Sequence, residues 1–380
     1  MIDSWGSQVL CYRRGVRDLE RRGGAQLLRR LRRRSAVDAG ENPQDIEKLL
    51  AEIDALSHEH DVSRDPELAR RILQLRHQAG LKLMERPAPE PPEYPAPAFD
   101  QLQNESKLPD VPCGQVTPEL LRAAILRSGC LLIRGFIDQE DVPRLVDGID
   151  RAWEARDAHA AGGSTNSAYY EEFEPDARFD LAWDRGVMYR SESGLIGPDC
   201  PPAMLDVIES FDRAGLGSIA GGYLGEHPAI SVNKCVLRRV NPNAFQDELR
   251  RNPGSKHSHW HQDGAFLGEV RALNVWLSLS RCGDVAPGLD IVPRRLDHVL
   301  ATGTEGARFD WSASRAVAEE AAGDIGIVRP IFEPGDALLF DELLLHSTAI
   351  EPGMTSMRHA VECWFFGPSG FPPNYAPLAF

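Results

Sequence analysis

The stretch HSHWHQDGAF, residues 257–266, contains the triplet His261-Gln262-Asp263, in which one residue separates a histidine from a carboxylate. If this stretch is a β-strand, alternate side chains share a face, so the imidazole of His261 and the carboxylate of Asp263 point into the same space. A third ligand then has to come from elsewhere in the chain. Two histidines and one carboxylate on one face, with the other coordination positions open, suit a non-haem Fe(II) oxygenase.

The third ligand is predicted to be His346, which follows the apolar run in GDALLFDELLLHST (335–348). Its strand should be buried, and its imidazole should therefore face the interior of the fold. The alternative is a core histidine with ordinary hydrogen-bond partners. His298 and His359 are rival candidates for the third ligand, but neither has a comparable sequence context.

With these residues in place, the chain resembles the phytanoyl-CoA dioxygenase-like family of Fe(II)/2-oxoglutarate-dependent oxygenases. The resemblance covers roughly residues 115–367. Its segments are TPELLRAAILRSGCLLIRGFI (117–137), the H-Q-D triplet, LNVWLSL (273–279), PGDALLFDELLLHST (334–348) and RHAVECWFF (358–366). The resemblance implies Fe(II) bound by His261, Asp263 and His346, with 2-oxoglutarate as cosubstrate, O2 as second substrate and ascorbate as a candidate reductant.

Four further residues are predicted to contact the cosubstrate. A guanidinium in a barrel interior needs an anion, and the fork of Arg358 matches the far carboxylate of 2-oxoglutarate. Thr348 lies two residues after His346 and could donate its hydroxyl to the same carboxylate. The resemblance places Trp276 against the cosubstrate, although a plain core role is nearly as well supported. Asn274 has the same strand parity as Trp276 and is the weaker candidate.

One segment departs from the family pattern. Relatives usually carry a P-G-S-H-like turn after the H-x-D strand, and this chain has LDIVPRRLDHV (289–299) instead. Arg294, Arg295 and His298 are expected near the mouth of the barrel, where they could bind an anionic group of the substrate. The alternative is a solvated basic turn. Because of this departure, acyl-CoA is not carried over as the substrate.

The chain is predicted to have three parts. Residues 1–85 form a basic N-terminal segment and a helical hairpin, 86–99 a proline-rich linker, and 100–380 the oxygenase domain, with its jelly-roll core at about 228–367. The hairpin should pack on the main domain or on a partner subunit, because two helices alone bury little surface. Residues before Asp100 are nevertheless expected to be dispensable for the chemistry.

The fold is predicted to be mainly β with flanking helices, a double-stranded β-helix (jelly roll, cupin-like) after a small helical region. Helices are predicted at 42–60, from Asp65-Pro66 onward, after Thr117, at 138–156 and at 204–220, and irregular lid loops at 157–200. Short strands separated by Gly/Pro turns suit an antiparallel barrel. They are CLLIRGFI (130–137), ISVNKCVLRRV, HSHWHQD, RALNVWLSLS, LDIVPR, IVRPIF, ALLFDELLLHS and RHAVECWFF.

Charge and composition limit the partners. The net charge is −15, although residues 1–35 are strongly basic. An acidic catalytic body argues against nucleic-acid binding. The basic segment is a solvated tail, a contact for an anionic membrane or acidic partner, or a mitochondrial transit peptide, although its Asp and Glu residues count against the last reading. There is no apolar run long enough to span a membrane and no secretory signal, and the seven cysteines are unpatterned, so a cytoplasmic location is predicted.

The predicted function is a non-haem Fe(II)- and 2-oxoglutarate-dependent dioxygenase. It would hydroxylate a small or carrier-linked metabolite with release of succinate and CO2. The alternative is a cupin-like Zn(II)-binding or regulatory protein without oxygenase activity. His257 and His259 keep that alternative open, because in a regular strand they share the face of His261 and could complete a histidine-rich zinc site.

Overall fold

The computed structural model describes residues 44–85, 88, 90–102, 107–162, 167–190, 194–243, 259–268 and 270–380. The chain divides into two units, Met1–Lys48 and Leu49–Phe380. Of the first unit only Gln44–Lys48, the beginning of a helix, is described. The predicted basic segment 1–35, the proposed cap at Asn42 and His257 lie outside the described residues.

The α-helices are α1 (Gln44–Ser63), α2 (Pro66–Met84), α3 (Pro118–Ser128), α4 (Asp141–Ala160), α5 (Ala182–Arg190), α6 (Pro201–Arg213), α7 (Leu216–Leu224), α8 (Gly264–Leu267) and α9 (Arg315–Ala322). The strands are β1 (Asp110–Pro112), β2 (Cys130–Arg134), β3 (Leu195–Ile196), β4 (Ala229–Val240), β5 (Ala272–Ser278), β6 (Gly288–Ile291), β7 (Ala337–Phe340), β8 (His346–Ala349), β9 (Arg358–Phe366) and β10 (Pro377–Ala379). No helix in the described part of the chain is long and apolar enough to cross a bilayer.

The strand order confirms the predicted double-stranded β-helix. The large sheet contains β4-β9-β5-β7 as antiparallel neighbours, extended by β2 and β1 beside β7 and by β10 and β3 beside β4. The small sheet has β8 beside β6, with His261 bridged to His346 on one side and Val328 bridged to Ile291 on the other. Four antiparallel positions in each sheet, contributed alternately along the chain, make the jelly-roll arrangement.

Strand alternation separates the two faces of the large sheet. On β9, Val361, Cys363 and Phe365 belong to the core shared with the helices, whereas Trp364 and Phe366 belong to the core between the two sheets. The same period of two places Trp276 of β5 on the inner side. The inner face therefore forms the barrel interior, and the outer face is covered by helices.

The N-terminal helices are part of the helical layer. Ile53 of α1 and Ile72 of α2 are fully buried in the same core cluster as the outer face of the large sheet. Arg76 donates to the carbonyl of Ala379 at 3.0 Å, and a ring nitrogen of His77 lies 2.7 Å from the carbonyl of Pro377. The hairpin thus packs on the main unit, whereas the domain boundaries themselves stay a prediction.

The residues before Asp100 also include the proline-rich segment, of which 91–98 carry no helix or strand. The ring of Tyr94 lies between the guanidinium groups of Arg122 and Arg271, at 4.0 and 3.8 Å from its centroid. These contacts and the buried helices remove the physical basis for expecting residues 1–99 to be dispensable. A chain beginning at Asp100 would lack α1 and α2 and would expose the core residues that these helices cover.

Several predicted boundaries are confirmed, and two predicted segments are wrong. Asp65 and Thr117 cap α2 and α3 by accepting hydrogen bonds from backbone N–H groups. The predicted helix 204–220 is two helices, because Gly215 with φ of 75° ends α6 and starts α7. The predicted loops at 157–200 contain α5 and the strand β3.

Three predicted strands also differ in the structure. ALLFDELLLHS is two strands in different sheets, β7 and β8, because the chain turns at Asp341–Leu345. IVRPIF forms only isolated bridges through Val328 and Phe332. HSHWHQD is paired only at Trp260 and His261, and the backbone turns helical at Asp263.

Packing of α2 on the main unit predicts that Ile72→Ala lowers the free energy of unfolding by about 2–5 kcal/mol, the cost of a large-to-small change in a core. Ile72 is fully buried, and Val62 at the end of α1 is 89% exposed, so Val62→Ala serves as the matched control with little effect. Urea denaturation of full-length variants measures both. Equal, small effects would show that α2 is not held in the core.

Candidate metal centre

His261, Asp263 and His346 converge at one point of the barrel interior. One ligand atom from each lies within 4.8 Å of the others. The imidazole Nε2 of His261 is 3.9 Å from Oδ1 of Asp263, and the two imidazole centroids are 4.3 Å apart. The structure therefore brings together the three predicted ligands. Among the residues that it describes, this is the candidate metal-binding group.

The two histidines are held side by side by the backbone. The N–H of His261 donates to the carbonyl of His346 at 2.9 Å, and the N–H of His346 donates back to His261 at 3.0 Å. Such a mutual pair places the two side chains on the same face of the small sheet. The two histidines are distant in sequence and adjacent in space because β8 pairs with the short extended segment at His261.

Asp263 reaches the site by a different route from the one predicted. Its backbone has φ −63° and ψ −25°, and it precedes the one-turn helix α8, so strand alternation does not place it beside His261. Gly264 donates to the carbonyl of Glu342 at 2.8 Å, and a side chain at Gly264 would meet Val299 at 3.0 Å and that carbonyl at 3.3 Å. A larger residue would therefore have to displace these neighbours by a few tenths of an ångström. The carboxylate of Asp263 makes no cap hydrogen bond, so it has no turn-capping role.

Gln262 is a positioning residue that sequence reasoning missed. Its buried amide donates to the carbonyls of His298 and Leu343, at 3.0 and 2.9 Å, and accepts from the N–H of Leu300 at 2.8 Å. These three bonds tie the turn to two neighbouring loops and fix the positions of His261 and Asp263 on either side. The sequence feature that could have identified Gln262 was its place inside the triplet, because its side chain has to point away from those of His261 and Asp263.

The backbone also fixes which ring nitrogen faces the site. Nδ1 of His261 lies 2.7 Å from the carbonyl of His259, and Nδ1 of His346 lies 3.1 Å from the carbonyl of Leu344. A carbonyl can only accept, so each Nδ1 carries the proton and each Nε2 keeps its lone pair. This is the tautomer that a metal-binding imidazole requires, with the carbonyl as its orienting partner.

The electrostatics of the three groups fit a divalent cation. Burial lowers the pKa of His261 to about 4, with a contribution from His346, and it also lowers the pKa of His346, so both imidazoles are neutral. Burial raises the pKa of Asp263 to about 6. Its Oδ2 is buried without a hydrogen-bond partner, an arrangement that is unfavourable unless a cation or a donor binds there.

Two of the four predicted cosubstrate residues present unpaired polar atoms. Arg358 is 3% exposed; its Nη1 donates to the carbonyl of Gly288 at a long 3.4 Å, and its Nε has no partner. Burial, with the nearby charge of Arg238, lowers its pKa to about 10, so it stays charged. Asn274 is fully buried, and neither its amide nitrogen nor its amide oxygen is hydrogen-bonded.

Thr348 and Trp276 share the interior with them. Thr348 lies opposite Leu289 in the small sheet, on the same face as His346. The ring of Trp276 packs on Phe332 at 4.8 Å and lies 5.9 Å from the guanidinium of Arg358. Both the core role and the cosubstrate contact considered for Trp276 are compatible with this position. The roles of all four residues stay predictions.

An ion pair inside the barrel was missed from the sequence. The carboxylate of Glu362 on β9 accepts from Nε and Nη2 of Arg238 on β4, at 2.8 and 2.6 Å. Burial opposes ionisation of Glu362, but Arg238 and the neighbouring His346 hold its pKa at about 2. Strand alternation could have identified Glu362 as an interior residue, because it lies four residues after Arg358 on the same strand and shares its face.

The side chains of His359, Arg294 and Arg295 have partners elsewhere, and that of His298 is exposed. His359 faces away from the barrel interior and contacts Asp150 at 3.0 Å. Arg294 donates to the carbonyl of Ala321 at 3.1 Å, and Arg295 forms an ion pair with Asp341. These contacts give both arginines structural partners, in contrast to the anion-binding and solvated roles considered for them.

Three solved structures are similar to this chain, and none of the three is more than 17% identical to it in sequence. EctD from S. alaskensis, with 2-oxoglutarate and 5-hydroxyectoine, is 17% identical over 75% of this chain and 86% of its own, with a TM-score of 0.40. AviO1 from Streptomyces viridochromogenes Tue57 is 16% identical over 66% and 96%, with a TM-score of 0.39. SnoK, a non-heme alpha ketoglutarate dependent carbocyclase from nogalamycin biosynthesis, is 12% identical over 68% and 87%, with a TM-score of 0.42.

No family model matches the chain, and no curated protein matches it. The identities and TM-scores of the similar structures are too low to support a conclusion about function. The function is therefore inferred from the geometry of the site itself.

If His346 is a ligand, His346→Ala weakens metal binding by roughly 100-fold or more, since even the loss of an outer partner of a metal ligand costs 10–100-fold. Titration of the apo-protein with Co(II), followed by visible absorption, measures the affinity. His359→Ala is the matched control, because that imidazole lies outside the barrel interior. Unchanged Co(II) affinity in His346→Ala would exclude His346 as a ligand.

Proposed function

We propose that this protein is a non-haem Fe(II)- and 2-oxoglutarate-dependent dioxygenase that hydroxylates a small or carrier-linked metabolite. One observation carries the proposal. Two neutral imidazoles and a carboxylate with an unpaired oxygen meet in a barrel interior that also holds the buried, incompletely hydrogen-bonded guanidinium of Arg358. The phytanoyl-CoA dioxygenase-like branch and the cytoplasmic location remain hypotheses within this proposal.

The donor set favours Fe(II). Two histidines and one carboxylate leave coordination positions open for a bidentate cosubstrate and O2, as in non-haem Fe(II) oxygenases. His261, Asp263 and His346 would hold the ion, with the carbonyls of His259 and Leu344 orienting the imidazoles. Asp263 would bind as the ionised carboxylate, and because burial raises its pKa to about 6, only the fraction that is still protonated would lose a proton on coordination.

Arg358 and its neighbours would hold 2-oxoglutarate. A guanidinium and a carboxylate form a charge-assisted bidentate pair, and Arg358 has a free Nε and a weak existing bond to give up. Thr348 lies on the same inner face and would donate its hydroxyl to the same carboxylate. Asn274 has an unpaired donor and acceptor that would bind the remaining polar atoms of the cosubstrate.

The chemistry supplied by Fe(II), 2-oxoglutarate and O2 is oxidative decarboxylation to succinate and CO2, coupled to insertion of one oxygen atom into a substrate C–H bond. The protein's residues bind, orient and shield. Trp276, Phe332, Phe340 and Trp364 form a close-packed apolar lining below the metal site. This lining excludes water from the interior and strengthens the electrostatic interactions of Arg358 and Asp263.

The alternative is a cupin-like zinc-binding or regulatory protein without oxygenase activity. The unpaired groups of Arg358 and Asn274 argue against it, since a zinc-only site has no need of a buried guanidinium and a buried amide without hydrogen-bond partners. His259 makes its ring contact with Phe309, at 5.4 Å, and is not in the group of converging ligands.

Succinate formation tests the function. Purified protein with Fe(II), ascorbate, 2-oxoglutarate and O2 is expected to release succinate even without the true substrate, at a slow uncoupled rate. Protein loaded with Zn(II) is the matched control and should release none. Tight zinc binding together with no 2-oxoglutarate binding or consumption under any metal loading would favour the alternative.

If Arg358 binds the cosubstrate, Arg358→Gln raises the KM for 2-oxoglutarate by roughly 10- to 200-fold, the equivalent of about 1.5–3 kcal/mol for a charge-assisted bond, and leaves metal affinity unchanged. Arg281→Gln is the matched control, because that arginine is 47% exposed and pairs with Asp284 at the surface. An unchanged KM in Arg358→Gln would exclude the role.

A further inference from the structure

Lys234 brings a cation to the opening of the barrel. It lies next to Cys235, which packs toward the helices, so the lysine side chain points to the inner face of the sheet. Its Nζ is 4.6 Å from the ring centroid of Phe266 and 5.8 Å from that of Tyr375. Within the described part of the chain, no carboxylate is in ion-pair contact with it.

Several groups of opposite sign act on this ammonium from a distance. Burial favours the neutral amine, but Tyr375, Asp184, Asp263 and Glu362 together hold the pKa of Lys234 above its ordinary value. Asp184 comes from α5, and its carboxylate accepts from the amide of Asn233 at 2.8 Å. Lys234 is therefore charged, and it lacks a direct counter-ion.

The pairing of charges in the interior leaves Lys234 without a carboxylate in direct contact. Among the described residues, the carboxylates of Asp263 and Glu362 face the barrel, together with the cations of Arg238, Arg358 and Lys234. The further carboxylate of Asp184, on α5, acts on Lys234 from a distance. Glu362 is paired with Arg238. A divalent metal ion and dianionic 2-oxoglutarate would cancel each other, and Asp263 and Arg358 would be used in binding them. Lys234 then has no carboxylate in direct contact among the described residues, and buried charges are usually paired at short range.

An apolar surface lies between Lys234 and the metal ligands. The aromatic wall, defined as Phe266, Phe309 and Trp311, begins at His261, whose ring centroid is 6.3 Å from that of Phe266 and 5.5 Å from that of Trp311. Phe309 and Trp311 are stacked at 5.0 Å. Phe266 is 40% exposed, which is unusual for a large apolar side chain beside a buried site and suggests that a ligand covers it.

From these positions we propose that the substrate is a monocarboxylic acid with an aromatic or similarly flat apolar body. Lys234 binds its carboxylate, and the aromatic wall packs against its body and holds the reacting carbon beside the metal ligands. The proposal rests on the proposed function, because it assigns the substrate of that site.

Two features favour a monocarboxylate over other anions. One unpaired positive charge matches a singly charged group, whereas a phosphate monoester carries a charge of about −1.5 to −2 at neutral pH. Asp184 also lies close enough to act on Lys234, and a second negative charge on the ligand would be repelled by it. Direct contact with a carboxylate would outweigh the more distant Asp184, since the attraction falls with distance.

The test is a calorimetric titration of full-length protein loaded with Mn(II) and saturated with 2-oxoglutarate, in which no turnover interferes. The probes are 2-phenylacetate, 3-phenylpropanoate and 4-phenylbutanoate, each compared with its own primary amide. We expect at least one acid to bind roughly 10- to 100-fold more tightly than its amide, the effect of one charge-assisted hydrogen bond. Lys234→Met should remove this preference, and Lys234→Arg should retain it.

Lys48→Met is the matched control, because it removes the same charge from a side chain that is 73% exposed, and it should keep the preference. The proposal is overturned if acids and amides bind alike, if no pair binds, or if Lys234→Met keeps the preference. The first titration step reports 2-oxoglutarate separately. Absence of that binding would contradict the proposed function, whereas normal 2-oxoglutarate binding without acid preference would contradict only the substrate assignment.

Discussion

The mutual backbone pair between His261 and His346 is the interaction on which the site depends. It joins the short extended segment before α8 to β8 and thereby sets two imidazoles side by side. The other contacts of the site position the turn after His261 relative to this backbone pair. Gln262 fastens the turn, and the Gly264 N–H bond to Glu342 brings the carboxylate of Asp263 around to the same point. A displacement of this small sheet would separate all three ligands at once.

Buried charge shapes the rest of the interior. An unpaired charge in such a place is costly, and pairing with good geometry is the usual solution. Arg238 and Glu362 satisfy each other across β4 and β9, and this pair lies beside the imidazoles without neutralising Arg358. The guanidinium of Arg358 thus stays incompletely hydrogen-bonded, whereas that of the neighbouring Arg238 is paired with Glu362. That contrast is the basis for proposing a binding role for Arg358 and a structural role for Arg238.

How much could be predicted from the sequence depends on the kind of interaction. Strand alternation and capping residues are local signals, and they predicted β9, the start of α3 and the barrel architecture correctly. Asp263 does lie beside His261 and His346, as predicted, but for a different reason, since a turn and not a strand places it there. The turn depends on the carbonyl of Glu342, a contact that no local pattern records. Likewise, the Arg238–Glu362 pair depends on the register of two strands that are far apart in the chain.

The contact of α2 with β10 has a consequence for biosynthesis. Arg76 and its neighbour His77 bond to carbonyls of the last strand, about 300 residues later in the chain. Those acceptors leave the ribosome about 300 residues after α2, so the hairpin is made well before the strand on which it docks. Contacts of such sequence separation slow folding. Until β10 has been synthesised, the apolar side of α2 lacks this partner. It is then exposed on the nascent chain, where chaperones can bind it.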